Sequence, residues 1–188
     1  MAISNVLTIF DFDDTLVWSH GSRVRIAHAD GSMSDLSTEE YATYAEQPGD
    51  VFDYSDFDKY PHGAELIDTS VQEISQAVSD GHEVIVLTAR KSREPVRQFL
   101  QDHGIIGIEV VAVGSSNPMS KALFVINKIK TNDFDLVQVY EDNMQNIRAI
   151  KKVVDDHGTR FRSVRVASDG SHITLESHLR RIIRVLVS

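Results

Sequence analysis

Hydrophobic positions along the chain fall into short strand-like runs separated by stripes at helical spacing. Val6-Leu7-Thr8-Ile9-Phe10 is a largely apolar run ending at an Asp cluster, which predicts a buried strand over 6–10. Ile67, Val71, Ile74 and Val78 then recur at helical spacing, with Gly81 as a stop. A strand is predicted over 83–88. Val96, Phe99 and Leu100 mark a helix ended by Gly104, and 108–113 is a further strand. Ala122, Val125, Ile126 and Ile129 mark another helix, followed by a strand over 136–140. Ile147, Ile150, Val153 and Val154 give a helix ended by Gly158, and 164–167 is a short strand. Leu175, Leu179, Ile182, Ile183 and Leu186 predict a terminal amphipathic helix. Strand–helix alternation with apolar strands implies an α/β fold whose parallel sheet is covered on both faces. In such sheets ligands bind at the carboxyl ends of the strands.

The segment from about 18 to 62 breaks this rhythm. Residues 23–28 and 33–36 flank Asp30-Gly31, a hairpin signal. Ser37 followed by Glu40 is a capping-box pattern opening a short helix through Tyr44. Phe52, Tyr54, Phe57 and Tyr60 follow among acidic residues. They are packing for the segment or, in the sharper reading, a platform for stacking bases. The segment is too small for an independent core, so it reads as an insertion into a single domain spanning 1–188.

Composition narrows the chemistry. The 188 residues include no cysteine, which excludes disulfides, thiolate catalysis and Cys-ligated metal sites. No apolar run approaches the ~20 residues of a membrane helix, and the start lacks the pattern of a secretory leader. A cytoplasmic, membrane-free setting is the expectation. The net charge of −9 disfavours tight nonspecific nucleic-acid binding. The eight histidines show no paired metal-ligand spacing, and no P-loop or nucleophile-elbow motif occurs. Asp supplies 18 of the 28 acidic residues, so a metal site built from carboxylates is open to this chain.

Three strand ends carry the right groups for phosphoryl chemistry. The first gives Asp11-Phe12-Asp13-Asp14-Thr15-Leu16, the second Leu87-Thr88-Ala89-Arg90, and another Tyr140-Glu141-Asp142-Asn143. Lys121 stands near the start of the helix that leads into the last of them. Asp-x-Asp is weak by itself: it recurs at Asp56/Asp58 and Asp133/Asp135, read as solvated loop acids. Only the first follows a buried strand and precedes Thr-Leu. Two carboxylates placed there can divide labour, one attacking phosphorus and the other moving a proton. Clustered carboxylates call for a cation, and Mg²⁺ suits hard oxygen ligands. Lys121 and Thr88 are suited to holding the transferred phosphoryl group.

In order and spacing this set resembles the haloacid dehalogenase superfamily of phosphatases, over roughly residues 6–167. The resemblance implies a Rossmann-like three-layer sandwich with a central parallel sheet and a small cap inserted after the first strand. It implies Asp11 as nucleophile and metal ligand. Asp13 would be acid/base, its backbone carbonyl also on Mg²⁺, and Asp142 a further metal ligand. Thr88, Ala89, Arg90 and Lys121 would contact substrate, with Thr88 and Lys121 on the phosphoryl group. Glu141 departs from the usual Asp of that motif. The Leu87–Arg90 and Tyr140–Asn143 stretches with Asn146 also resemble compact phosphatases of bacteriophage and RNA-repair proteins, although those commonly carry Asp-Asp-Arg where this chain has Glu141-Asp142-Asn143.

The expectation is therefore a Mg²⁺-dependent phosphomonoester hydrolase working through an aspartyl phosphate. Its substrate would be a phosphorylated small molecule, such as a nucleotide, or a polynucleotide 3′-phosphate end. A phosphotransferase or mutase, or a non-catalytic binding module, are the rival readings. The blander roles are a helix cap for Asp142, a solvated lysine for Lys121, a β-branched strand residue for Thr88 and a surface pair for Arg90.

Overall fold

The computed structural model describes residues 5–174, and the terminal amphipathic helix expected beyond them, with Arg180, Arg181 and Arg184, lies outside the described residues. The elements in chain order are β1 (Val6–Phe10), β2 (Val17–Trp18), β3 (Arg23–Ala27), β4 (Met33–Ser37), α1 (Thr38–Ala42) and β5 (Val51–Asp53). A 3₁₀ turn (Ser55–Asp58), β6 (Glu65–Leu66), α2 (Asp68–Ser79), β7 (Glu83–Thr88), α3 (Glu94–Asp102) and β8 (Glu109–Ala112) follow. The chain continues through α4 (Pro118–Thr131), β9 (Leu136–Glu141), α5 (Met144–His157), β10 (Arg160–Val166) and β11 (His172–Thr174).

The main sheet has the order β11-β10-β9-β1-β7-β8. All its pairings are parallel except that of the edge strand β11 with β10. Period-two alternation along the strands divides the core between two faces. Phe10, Val84, Val86 and Tyr140 pack with Ile74 and Ala77 of α2 and with Val96, Phe99 and Leu100 of α3. Leu7, Ile9, Ile85, Leu87, Val137 and Val139 pack with Ala122, Val125 and Ile129 of α4 and with Ile150 and Val154 of α5. The result is three layers, helices on both faces of one sheet. Strand order runs from β1 outward through β7 to β8, then jumps back to β9 on the other side of β1. The carboxyl ends of β1 and β9 therefore flank the switch point, where the fold leaves a crevice for a ligand.

The irregular segment builds a small three-stranded antiparallel sheet, order β4-β3-β5. The hairpin forms with Gly31 at positive φ, and Ser37 and Glu40 make both capping-box bonds. The short helix stops at Ala42 rather than Tyr44. The segment leaves and rejoins the main body through the paired strands β2 and β6. Two further features differ from the sequence expectation. The strand expected over 164–167 begins earlier, at Arg160, because it pairs with β9 from Leu136 onward. The edge strand β11 was not expected, since His172-Ile173-Thr174 is too short to show a period.

Candidate active site

Everything at the site hangs from the turn after β1. Phe12 is fully buried and meets Phe99 edge-to-face at 5.7 Å between ring centroids. Its carbonyl accepts the amides of Thr15, Leu16 and Val17, so the chain winds tightly there. Asp14 takes the left-handed conformation at φ 56°, which Asp tolerates better than most residues. With Phe12 driven into the core, Asp11 and Asp13 are both turned to the crevice and line one cavity of about 260 Å³.

Asp11 is 8% exposed. Its Oδ1 accepts the Phe12 amide at 2.7 Å and pairs with Lys121 Nζ, also at 2.7 Å. Oδ2 is thus the oxygen left for further chemistry. Lys121, from the first turn of α4, is 2% exposed and bridges to Glu141 Oε2 at 2.8 Å. Glu141 closes β9 at 1% exposure, and its Oε1 accepts from the Asn143 amide and from Asn146 Nδ2 at 3.0 Å. Asp142 donates its amide to Thr15 Oγ1 at 3.1 Å. It is not the cap of α5: Asn143 fills that position, accepting from the Gln145 amide. Lys121 is accordingly no solvated lysine, and Glu141 is the group that locks it beside Asp11.

Three carboxylates, Asp11, Glu141 and Asp142, offer oxygens that all lie within 4.8 Å of one another. Burial pushes the Asp11 carboxyl well above the ordinary range; Glu141 adds to this, and Lys121 opposes it without prevailing. Burial likewise raises Glu141, against the pull of Lys121. Asp142 is raised to about 6, by burial first and then by Asp11. Burial draws Lys121 down, but Asp11 and Glu141 outweigh it and keep the ammonium charged. One ammonium against three crowded carboxyls leaves the cluster short of positive charge. Hard oxygen donors in that state fit a small divalent cation. Glu141 joins the expected Asp11 and Asp142 in this cluster; the Asp13 side chain stands outside it, and the expectation for Asp13 concerned its backbone carbonyl.

Asp13 is held instead by Arg90. Nε reaches Asp13 Oδ2 at 2.9 Å and Nη2 reaches Oδ1 at 2.6 Å, a two-pronged clasp, while the Ser19 hydroxyl donates to Oδ1 as well. Arg90 is 3% exposed, between the rings of Phe12 and Phe57. Its Nη1 donates to the carbonyls of Phe57 and Lys59 in the inserted segment. The expected substrate-binding role for Arg90 meets a guanidinium already engaged by protein groups, and it is no surface pair. Thr88 is fully buried and its hydroxyl accepts the Arg90 amide at 3.2 Å. Ala89 and Arg90 line the cavity beyond it.

Several lining residues escaped the sequence reading. Gly114, Ser115 and Ser116 reach the cavity from the loop after β8, held in place by the Gly114 amide on the Arg90 carbonyl at 3.0 Å. The strand-end rule could have found them, since they follow the third strand of the alternation. Tyr41, Tyr54, Phe57 and Asp58 reach it from the inserted segment. Asp58 belongs to a second Asp-x-Asp, so one of the two pairs set aside as loop acids contributes to the lining after all. In the same segment His28 bridges Ser34 Oγ and Asp50 Oδ1 at 2.7 and 2.8 Å, and Tyr44 donates to Asp50. None of these four lines the cavity, and they pin the 44–50 loop to the hairpin.

No family model and no curated protein matches the chain. A crystal structure of the Legionella pneumophila effector Ceg4, carrying an N-terminal yeast Hog1p sequence, is similar in fold. Its TM-score is 0.54 at 13% identity, covering 98% of this chain and 96% of that one. At that identity the likeness speaks for the α/β architecture alone.

Proposed function

We propose that the protein is a Mg²⁺-dependent phosphomonoester hydrolase of the haloacid dehalogenase type. The observation that carries this is the juxtaposition of Asp11, Lys121, Glu141 and Asp142 at the strand switch point. There an attacking carboxylate, a fixed ammonium and spare carboxylate oxygens converge. Asp11 and Asp142, with Glu141 beside them, would hold the cation. It would supply the positive charge that lets Asp11 ionise and that balances a phosphoryl group.

In this reading Asp11 Oδ2 attacks phosphorus and the ester P–O bond breaks. The leaving oxygen takes a proton from Asp13, giving an aspartyl phosphate. Water then attacks that phosphorus and yields its proton to Asp13. The acyl–phosphate bond breaks, releasing inorganic phosphate and restoring Asp11. Lys121 stays charged throughout and faces the phosphoryl oxygens while Glu141 fixes its position. Asp13 lines the same cavity, and the Arg90 clasp fixes where its carboxyl stands.

The test is phosphate release from an aryl phosphate in Mg²⁺. Wild type is expected to be active, EDTA to stop it, and Asp11→Asn to lower it by at least about a thousandfold, in keeping with loss of a covalent nucleophile. Asp11→Asn turning over like wild type, or indifference to EDTA, would overturn the proposal.

A further inference from the structure

The cavity has two chemically different ends. Its floor is the charged cluster around Asp11. Its far wall, supplied by the inserted segment, is Val24, Thr38, Tyr41, Tyr54 and Phe57. That wall is braced from behind. The Tyr41 and Tyr54 hydroxyls are hydrogen-bonded at 2.6 Å with the rings edge-to-face. Tyr54 stacks on Phe52 at 6.0 Å, and Phe57 lies on the Arg90 guanidinium. Rings fixed this way lose little freedom when a planar group joins them.

Charge adds a second constraint. Six carboxylates and three basic side chains line the cavity. Of the three, Arg90 is clasped by Asp13 and Lys121 by Asp11 and Glu141. A divalent ion on the cluster would still leave acidic groups in excess. A leaving group bearing further phosphates would be repelled there, and the surrounding cavity is small for a strand.

Resting on the phosphatase reading, we infer that the substrates are phosphate monoesters whose leaving group carries a neutral aromatic ring. Tyr41 and Tyr54 form the ring's binding wall, and a polynucleotide end is a poor fit. The ring could belong to a phenol or to the base of a free nucleotide, and the two are separable by assay.

The first experiment needs no turnover. Calorimetry on the full chain with Mg²⁺ compares phenylphosphonate and methylphosphonate, inert analogues with no ester bond, at a pH where both are dianions. The phenyl compound is expected to bind about tenfold tighter, the scale of one well-placed ring contact. Equal affinity would overturn the inference. Next, kcat/KM is measured for phenyl phosphate, a nucleoside monophosphate, glycerol phosphate and a 3′-phosphorylated oligonucleotide. The expected order puts one of the two ring-bearing small esters first, which identifies the source of the ring. Oligonucleotide or glycerol phosphate in first place would overturn the inference. Tyr54→Leu and Tyr41→Leu should each cut the phenyl-to-glycerol preference about fivefold; a preference unmoved in both would count against the wall. Should no ester be hydrolysed while phenylphosphonate still binds preferentially, the hydrolase reading falls and the ring site stands.

Discussion

Lys121 is the residue on which the charges at the site turn. Its ammonium is the cation nearest both Asp11 and Glu141, at 2.7 and 2.8 Å. Lys121→Met would leave two buried carboxyls facing each other, a change of the class that costs about 3–5 kcal/mol. The expected outcome is a large fall in the thermal midpoint together with loss of phosphate release, read by calorimetry and by assay on the same preparation. Asp142→Asn should do the opposite to stability. Burial and Asp11 hold Asp142 at about 6, so removing its charge relieves repulsion. The metal-free variant is expected to melt above wild type at pH 7 while losing activity. Arg90→Lys replaces a two-pronged clasp on Asp13 by a point charge. We expect kcat to fall roughly 10–100-fold, the scale of one or two charged hydrogen bonds. The fall should be steepest for esters with poor leaving groups, which depend most on a correctly placed acid. A uniform fall across leaving groups would instead place Arg90 in phosphoryl binding, its expected role from sequence.

At the scale of elements, the inserted segment is joined to the body at a few tight points. Gly21 is one: a Cβ there would stand 2.2 Å from the His62 carbonyl oxygen, so the two ends of the segment touch only because the position is glycine. Gly21→Ala is expected to push them apart. Faster proteolysis between 20 and 62, with the sheet core still protected, would report it; cleavage like wild type would show the ends to be loosely joined. Elements whose signal is local were legible before any coordinates. Helix stripes such as Val96/Phe99/Leu100, the Asp30-Gly31 turn and the Ser37/Glu40 cap all appear where expected. That the strand-end acids and Lys121 meet in one crevice was legible because the α/β alternation says where the strand ends gather. What stayed hidden depends on contacts between distant residues. The Arg90–Asp13 clasp spans 77 positions, and Glu141 gains its place only when α4 brings Lys121 beside β9. Phe52, Tyr54, Phe57 and Tyr60 read from sequence first as packing for the segment, and the structure divides the set, with Tyr54 and Phe57 lining the cavity. Phe52 backs the wall, whereas Tyr60 packs on Phe99.

For the whole molecule, the site sets how stability depends on pH. Asp142 holds its proton more tightly folded than unfolded, with its carboxyl moved from 3.8 to about 6. Asp11 and Glu141 move the same way. The folded state therefore loses stability as pH rises from the ordinary carboxylate range, and the share owed to Asp142 is complete above about 6. Acids held below the ordinary range, such as Asp50 and Asp53, act at lower pH and in the opposite sense. Between about pH 4.5 and 7 the metal-free protein should thus become less stable. Mg²⁺ should restore the thermal midpoint at pH 7 and do little at pH 4.5. A midpoint that rises across that window, or ignores Mg²⁺ at pH 7, would contradict the cluster's role. A covalent aspartyl phosphate can be trapped directly. Wild type is mixed with a turned-over monoester and Mg²⁺, quenched in acid, reduced with borohydride and mapped by peptide mass spectrometry. Homoserine is expected at position 11 in the quenched enzyme and not in enzyme without substrate. Label at another residue, or steady turnover with position 11 always Asp, would contradict it.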